Sequence, residues 1–383
     1  MARFGLAIAT ATAVLALSAG SSAASAQAVA TASGSYQFTV RNLVTVRNLG
    51  AFPGDLSGYG DGLNNWGDAV GSSVTFDPTN FMPERPALFA NHLVLRLHSM
   101  PIEDPPLDRG EARAINDAGI AVGNAYGPKG PAHAARFAPD ATTDLGILPG
   151  GTNSYATAIN SLGQIVGYAD LPPGDNSVGT HAVLYATGDV IDLGTLPGSV
   201  ASYATAINDQ GTIVGYAVAA DGNDHAVLFV GGRVVDLGTP PGGLSSAVYG
   251  INNQGQAVGV ADFGGGVSHA ALFVNGTITD LGTLPGGSRS SATAINNLGQ
   301  AVGWSSNGTD YVRPVLFVPG HVVDLGTFAG VTNCYPSAIN DLGQIVGTVE
   351  LQNPPDVDLP KALALLWTPA SQAPLPVHLP GVR

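Results

Sequence analysis

Four histidines, His133, His181, His225 and His269, each stand eleven residues before an aspartate: Asp144, Asp192, Asp236 and Asp280. An imidazole beside a carboxylate can transfer protons and, joined by further ligands, hold a metal ion. Other cations occupy the same slot elsewhere: Arg85, Arg313 (followed by Asp324 at the same distance) and Lys361. Seven positions that share only positive charge point to a structural pair repeated along the chain. Catalytic and metal sites need about three groups converging on one point, whereas one pair per repeat scatters them. Each pair should contribute about 0.2–1 kcal/mol as a cross-strand contact. It should be absent from the first and last repeats, where Arg96 and Gln372 stand in place of the aspartate.

Other chemical signatures are missing. The chain has no H-E-x-x-H, no G-x-S-x-G and no phosphate-cradling Gly-Lys-Ser/Thr loop. "DGNDH" (Asp221–His225) and "PGDNS" offer oxygen ligands of the kind calcium takes, but neither completes the spaced loop of a strong site. No metal and no cofactor is expected. Catalytic carboxylates contributed by separate repeats would leave no local motif, so an enzyme stays open as an alternative.

The elements that position these residues come from one repeated phrase. "ATAINDQGTIVG" (residues 204–215) has near-copies anchored on Asn64, Asn116, Asn160, Asn208, Asn252, Asn296 and Asn340, at spacings of 52, 44, 48, 44, 44 and 44. Such a period marks a solenoid or a propeller. Each unit divides into four short runs; in the fourth they are "SYATAIN", "TIVGYAV", "HAVLFV" and "RVVDLGT". Asn208-Asp209-Gln210-Gly211 reads as a type I turn closed by a left-handed glycine. Gly231-Gly232 and, in the next unit, Asn275-Gly276 are two-residue hairpin signals. Four antiparallel strands per unit, seven times, predicts an all-β, seven-bladed β-propeller, with a β-solenoid as the alternative.

Closing the ring requires a strand from one end of the chain. "FTVRNLVTVRNL" offers one twice, at Thr39–Leu43 and Thr45–Leu49, to pair with Lys361–Trp367. Ala373–Gly381 competes from the C-terminal side, but two prolines weaken it as a ladder strand. N-terminal closure is therefore expected.

Hydrophobic residues make up 45% of the chain and charged ones only 11%; Gly (52) and Pro (27) together form about a fifth, a turn-rich profile. The net charge of −14, without any basic cluster, argues against nucleic-acid and anionic-membrane partners. Residues 1–26 have the layout of a secretory signal peptide: Arg3, an apolar run from Phe4 to Leu17, then Ala24-Ser25-Ala26. The division expected is a signal peptide (1–26), an N-terminal extension (27–44) and the propeller (45–383), in a monomer that is extracellular or periplasmic. Cys334 stands alone, so no intrachain disulfide forms; it reads as a small half-buried residue rather than a reactive thiol.

"HAVLF", "HAALF" and "HAVLY", followed by "DLGTLPGG" and "AINxxGQxVG", resemble the bacterial extracellular HAF repeat, over residues 45–347. That resemblance implies secretion and assigns no catalytic residue.

The two hairpins of a unit lie at one side of a blade and hardly vary. At the other side, the second-to-third loops and the crossovers differ in length and content, which is where a rigid scaffold places function. Tyr168, Tyr216, Trp304, Asp175, Asp221 and Asp224 lie there. Aromatic rings beside carboxylates suit sugar stacking, though rings at these positions could instead cap the core. The expected function is a binding or surface-interaction module for an extracellular polysaccharide or a cell-surface component. The alternatives are a hydrolase or lyase with carboxylates at the channel mouth, and a matrix protein without a discrete ligand.

Overall fold

The computed structural model describes residues 28–30, 36–40, 44–55, 57–75, 84–97, 109–126, 130–138, 142–172, 179–186, 188–309, 311–318, 320–327, 330–352 and 362–369. The expected signal peptide, Asp175, Lys361, Gln372 and the Ala373–Gly381 strand lie outside them. The described residues form a seven-bladed β-propeller. Six blades are four-stranded antiparallel sheets taken in chain order, spanning residues 57–96, 109–144, 154–194, 199–236, 246–282 and 290–324. In the fourth blade the strands are Ser199–Ile207, Ile213–Ala219, Asp224–Val230 and Arg233–Asp236. First strands contact one another around the ring and line the axis.

The seventh blade contains Val331–Ile339, Ile345–Leu351 and Ala362–Pro369, and it is completed from the other end of the chain. Val44–Asn48 pairs antiparallel with Ala362–Pro369, setting Val46 opposite Trp367. The ring is thus closed by the N-terminal strand. The other candidate, Thr39–Leu43, is described only at Thr39 and Val40, which end a strand of different bounds: Tyr36–Val40 pairs with Val44–Asn48, and Ala28–Ala30 pairs with Tyr36–Val40, widening this sheet to six strands.

Apolar residues pack mainly between blades. One cluster joins Val166 and Ala182 of the third blade to Ala204, Ile207, Val227 and Phe229 of the fourth, and an equivalent cluster fills each of the seven interfaces. Small alanines on the facing strands let the sheets approach closely. Cys334 belongs to one such cluster and is fully buried rather than half-buried; burial pushes its thiol up, which makes it unreactive.

The repeated phrase does more than turn the chain. Its asparagine accepts two backbone N–H groups within its own turn, as when Asn208 Oδ1 takes those of Gln210 (3.1 Å) and Thr212 (2.9 Å). Its Nδ2 donates to the carbonyl of the next asparagine in the ring. The distances run 3.4, 3.1, 3.0, 3.1, 3.1 and 2.9 Å from Asn64 to Asn340, and the last bond, Asn340 to Asn64, is 3.0 Å. Seven buried amides therefore form a closed circle around the channel.

Two further residue types stitch the blades. Ser154, Ser202, Ser246 and Ser290 each accept an N–H from the third strand of the preceding blade and donate to the carbonyl of that blade's Asp-Leu-Gly glycine, at 2.6–2.7 Å. Thr157, Thr205 and Thr293 donate to a carbonyl of the next first strand, at 2.7–2.8 Å.

The histidine–aspartate pairs are present. His133, His181, His225 and His269 lie 2.7, 2.9, 3.1 and 2.9 Å from their aspartates, and Arg313 lies 3.5 Å from Asp324. The other carboxylate oxygen accepts the N–H of the glycine two residues on, for example Gly238 at 2.7 Å from Asp236. Asp192 is partly desolvated, which opposes its charge. The hydrogen bonds of His181 and Gly194 outweigh this and hold the carboxyl below its ordinary range. In the first blade, Arg85 is not left alone. It pairs with Asp55, supplied by the preceding crossover, and Arg85 and Arg96 lie 5.2 and 5.9 Å over the Phe52 ring. Because the pairs are solvent-accessible, His225→Ala should cost about 0.2–1 kcal/mol in urea denaturation and leave ligand binding unchanged. Binding lost at unchanged stability would refute the structural role.

Candidate functional site

A β-bulge interrupts every first strand three residues before the repeated asparagine, and the bulged residue lines the channel. In ring order these residues are Asp61, Arg113, Thr157, Thr205, Tyr249, Thr293 and Ser337. Two residues earlier on the first strand, and directly opposite it on the second, stand the cross-strand pairs Tyr155–Tyr168 and Tyr203–Tyr216. Ser291–Trp304 and Tyr335–Thr348 are their equivalents in the last two blades.

These rings form a belt. Tyr155 stacks on Tyr168 with centroids 4.8 Å apart, Tyr168 meets Tyr203 edge-on at 5.0 Å, and Tyr203 stacks on Tyr216 at 4.9 Å. Tyr249 continues the belt edge-on at 6.4 Å. All five, with Trp304 and Tyr335, line a cavity of about 510 Å³ at the variable end of the channel. All are half-buried, so they neither sit free in solvent nor seal the core. Burial pushes the Tyr168 phenol up to about 12 and raises that of Tyr216 further, so both stay neutral donors across physiological pH.

Of the residues expected from the sequence, Tyr168, Tyr216 and Trp304 line this cavity. Asp221 and Asp224 do not. Asp221 is exposed in a loop, where its carboxylate accepts the Asn223 backbone and side-chain N–H groups. Asp224 opens a third strand, its carboxyl raised by burial. The sequence reading missed Tyr155 and Tyr203, which lie opposite Tyr168 and Tyr216, and also Tyr335 and the bulged Tyr249. For Tyr155, Tyr203 and Tyr335 a tyrosine five residues before the repeated asparagine was the available signal.

It also missed a charged corner. Asp61, Arg113 and Asn124 line the cavity at the first two blades, and Glu84 and Glu111 stand behind them. Arg113 pairs with Glu111. Asp61 lines the channel half-buried, with protein packed around it. Desolvation, helped by the charge of Glu111 and opposed by Arg113, pushes its carboxyl up to about 7. Glu84 is raised as well, first by burial and then by its hydrogen bond to Glu111. Asn124 is 2% exposed, and its Nδ2 has no hydrogen-bond partner.

The sign of the Asp61 effect follows from linkage. A carboxyl that binds its proton more tightly folded than unfolded loses stability as pH rises from about 4 to about 7. Asp61→Asn should therefore raise the melting temperature more at pH 8 than at pH 4. An equal shift at both would contradict the burial argument.

At the opposite mouth, Asn65, Asp117, Ser161, Asp209, Asn253, Asn297 and Asp341 ring a smaller opening of about 190 Å³. Their side chains are engaged with one another; Asp209, for instance, accepts from Ser161 and Asn253. Among the described residues, no three His, Cys, Asp or Glu side chains are grouped so as to hold a metal ion.

No family model matches this chain, and no curated protein matches it in sequence. Among solved structures it is similar to a gluconolactonase of Xanthomonas campestris at 11% identity and a TM-score of 0.39, covering 85% of this chain and 90% of that one. It is also similar to the acylaminoacyl peptidase of Pyrococcus horikoshii, at 10% identity and a TM-score of 0.46. That match covers 82% of this chain and 52% of the peptidase, so the chain spans about half of the peptidase's length. TolB of Acinetobacter baumannii is similar at 10% identity and a TM-score of 0.39, with 79% of each chain covered.

Proposed function

We propose that this is an exported carbohydrate-binding module whose ligand enters the tyrosine-lined cavity. The observation that carries the reading is the continuous belt of five tyrosines around the cavity, whose lining also includes Trp304 and Tyr335. Sugar rings present C–H faces to aromatic planes and hydroxyls to phenols, and this lining supplies both. The layout of residues 1–26 supports export, and the repeats support a place with the bacterial extracellular HAF repeat. An extracellular polysaccharide or cell-surface glycan is the proposed partner.

The test is a glycan-array and polysaccharide pull-down with residues 27–383, beside a Tyr216→Ala, Trp304→Ala variant. Each ring lost from a stacked contact is worth about 0.5–1.5 kcal/mol, so the double variant should bind about fivefold to a hundredfold more weakly. Retained affinity in a folded double variant would sink the proposal.

A second reading, an extracellular hydrolase or lyase, would need a general acid at the cavity, and Asp61, which lines it and whose carboxyl burial raises, is the group that would serve. Following the same mixtures for new reducing ends or unsaturated products decides between binding alone and turnover.

A further inference from the structure

We propose that the charged corner of the cavity is a subsite for the ammonium group of an amino sugar, so that the preferred ligand is a saccharide with free amines. This rests on the carbohydrate reading above and deepens it. Asp61, Glu84 and Glu111 gather at this corner, and Arg113, paired with Glu111, is the cation that offsets them. One guanidinium is too little to keep three crowded carboxyls ionised, so near pH 6 Asp61 and Glu84 hold their protons while the cavity is empty and release them when a cation arrives. That cation supplies the missing positive charge, whereas a uronate or sulfate would deepen the repulsion. The chain's net charge of −14 points the same way, since the surrounding field attracts cations toward the cavity.

Two independent observations connect this corner to a ligand. Asn124, almost wholly buried on the same wall, has an amide nitrogen without a partner, an unspent donor beside the cavity. The tyrosine faces lining the rest of the cavity attract cations through their ring quadrupoles as well as stacking on sugar. A metal ion is a poor alternative occupant, because the carboxylates are not grouped at ligand geometry. An organic ammonium has softer geometric needs: its charge can be shared between Asp61 and a ring face.

The experiment is calorimetric titration of residues 27–383 with three tetrasaccharides at about pH 6 and low salt: the β-1,4 glucosamine tetramer, its N-acetylated form and cellotetraose. The glucosamine tetramer should bind at least about tenfold tighter than cellotetraose. That preference, read as the ratio of the two affinities within one variant, should collapse toward unity in Asp61→Asn. The margin should also shrink at higher salt, because screening weakens the charge contact. Equal affinity for the three sugars, or a preference that survives both Asp61→Asn and Glu111→Gln, overturns the ammonium subsite and leaves carbohydrate binding standing. Binding of none of the three, together with a silent array, overturns both.

Discussion

Gly215→Ala should destabilise the protein by about 3 kcal/mol or more, close to the largest effect of any single methyl group in this fold. A β-carbon at Gly215 would lie 1.8 Å from the carbonyl oxygen of Tyr203 and 2.9 Å from its carbonyl carbon. Both are rigid backbone atoms of the adjoining strand, so no rotamer change relieves the clash. The approach is close because the first strand bulges between Ala204 and Ala206, bringing the Tyr203 carbonyl over Gly215. Gly167, Gly259 and Gly303 repeat the geometry at 1.9, 1.9 and 2.0 Å. The other glycine of the phrase is a useful contrast. Gly211 has a φ of +77° with nothing nearer than 3.5 Å to an added β-carbon. Gly211→Ala meets backbone strain alone and should cost about 1–2 kcal/mol. Urea denaturation of the two variants measures the difference; equal costs would show that the second strand can move aside.

Asn208→Asp should cost about 2–4 kcal/mol at neutral pH, although it changes one atom. The aspartate keeps the oxygen that accepts from Gln210 and Thr212 but loses the amide that donates to the Asn252 carbonyl. At 5% exposure, a carboxylate there faces another oxygen without water to separate them. Folding then favours the protonated acid, which can donate, so the variant should regain stability as pH falls toward about 4. Thermal melts at both pH values decide: a deficit that does not shrink on acidification would mean that the circle of amides contributes little.

The architecture was legible because it is written locally. The turn at Asn208–Gly211, the two-residue hairpin at Gly231-Gly232 and the period of the phrase each follow from a few neighbouring residues. The His225–Asp236 pair was legible for the same reason, being fixed by hairpin register. N-terminal closure could be read from the doubled "TVRNL" and the prolines near the C-terminus. What escaped the reading joins distant residues. The bonds of Asn208 and Ser202 cross between blades, so their partners appear only once the ring exists. The bulge assembles the site: it turns Asp61 and Arg113 into the channel, where Thr157 and Thr205 stand in other blades. Asp61 and Arg113 stand where other repeats have threonine, and nothing in their neighbouring residues marks that position as facing a cavity. Arg85 misled for a related reason, since its aspartate comes from a crossover instead of the hairpin beside it.

The circle of amides has a consequence for how such a chain can change over time. The bond from Asn340 to Asn64 spans 276 residues, yet it matches those between neighbours at 44. No blade is marked as first by this contact, and each bond must carry the chain through one seventh of a full rotation. Near-identical repeats invite copying slips that add or delete a unit. In an open solenoid such a slip merely lengthens or shortens the rod. Here an eighth or a missing blade would change the angle demanded of every amide at once, so the hub acts as a counter that admits one copy number.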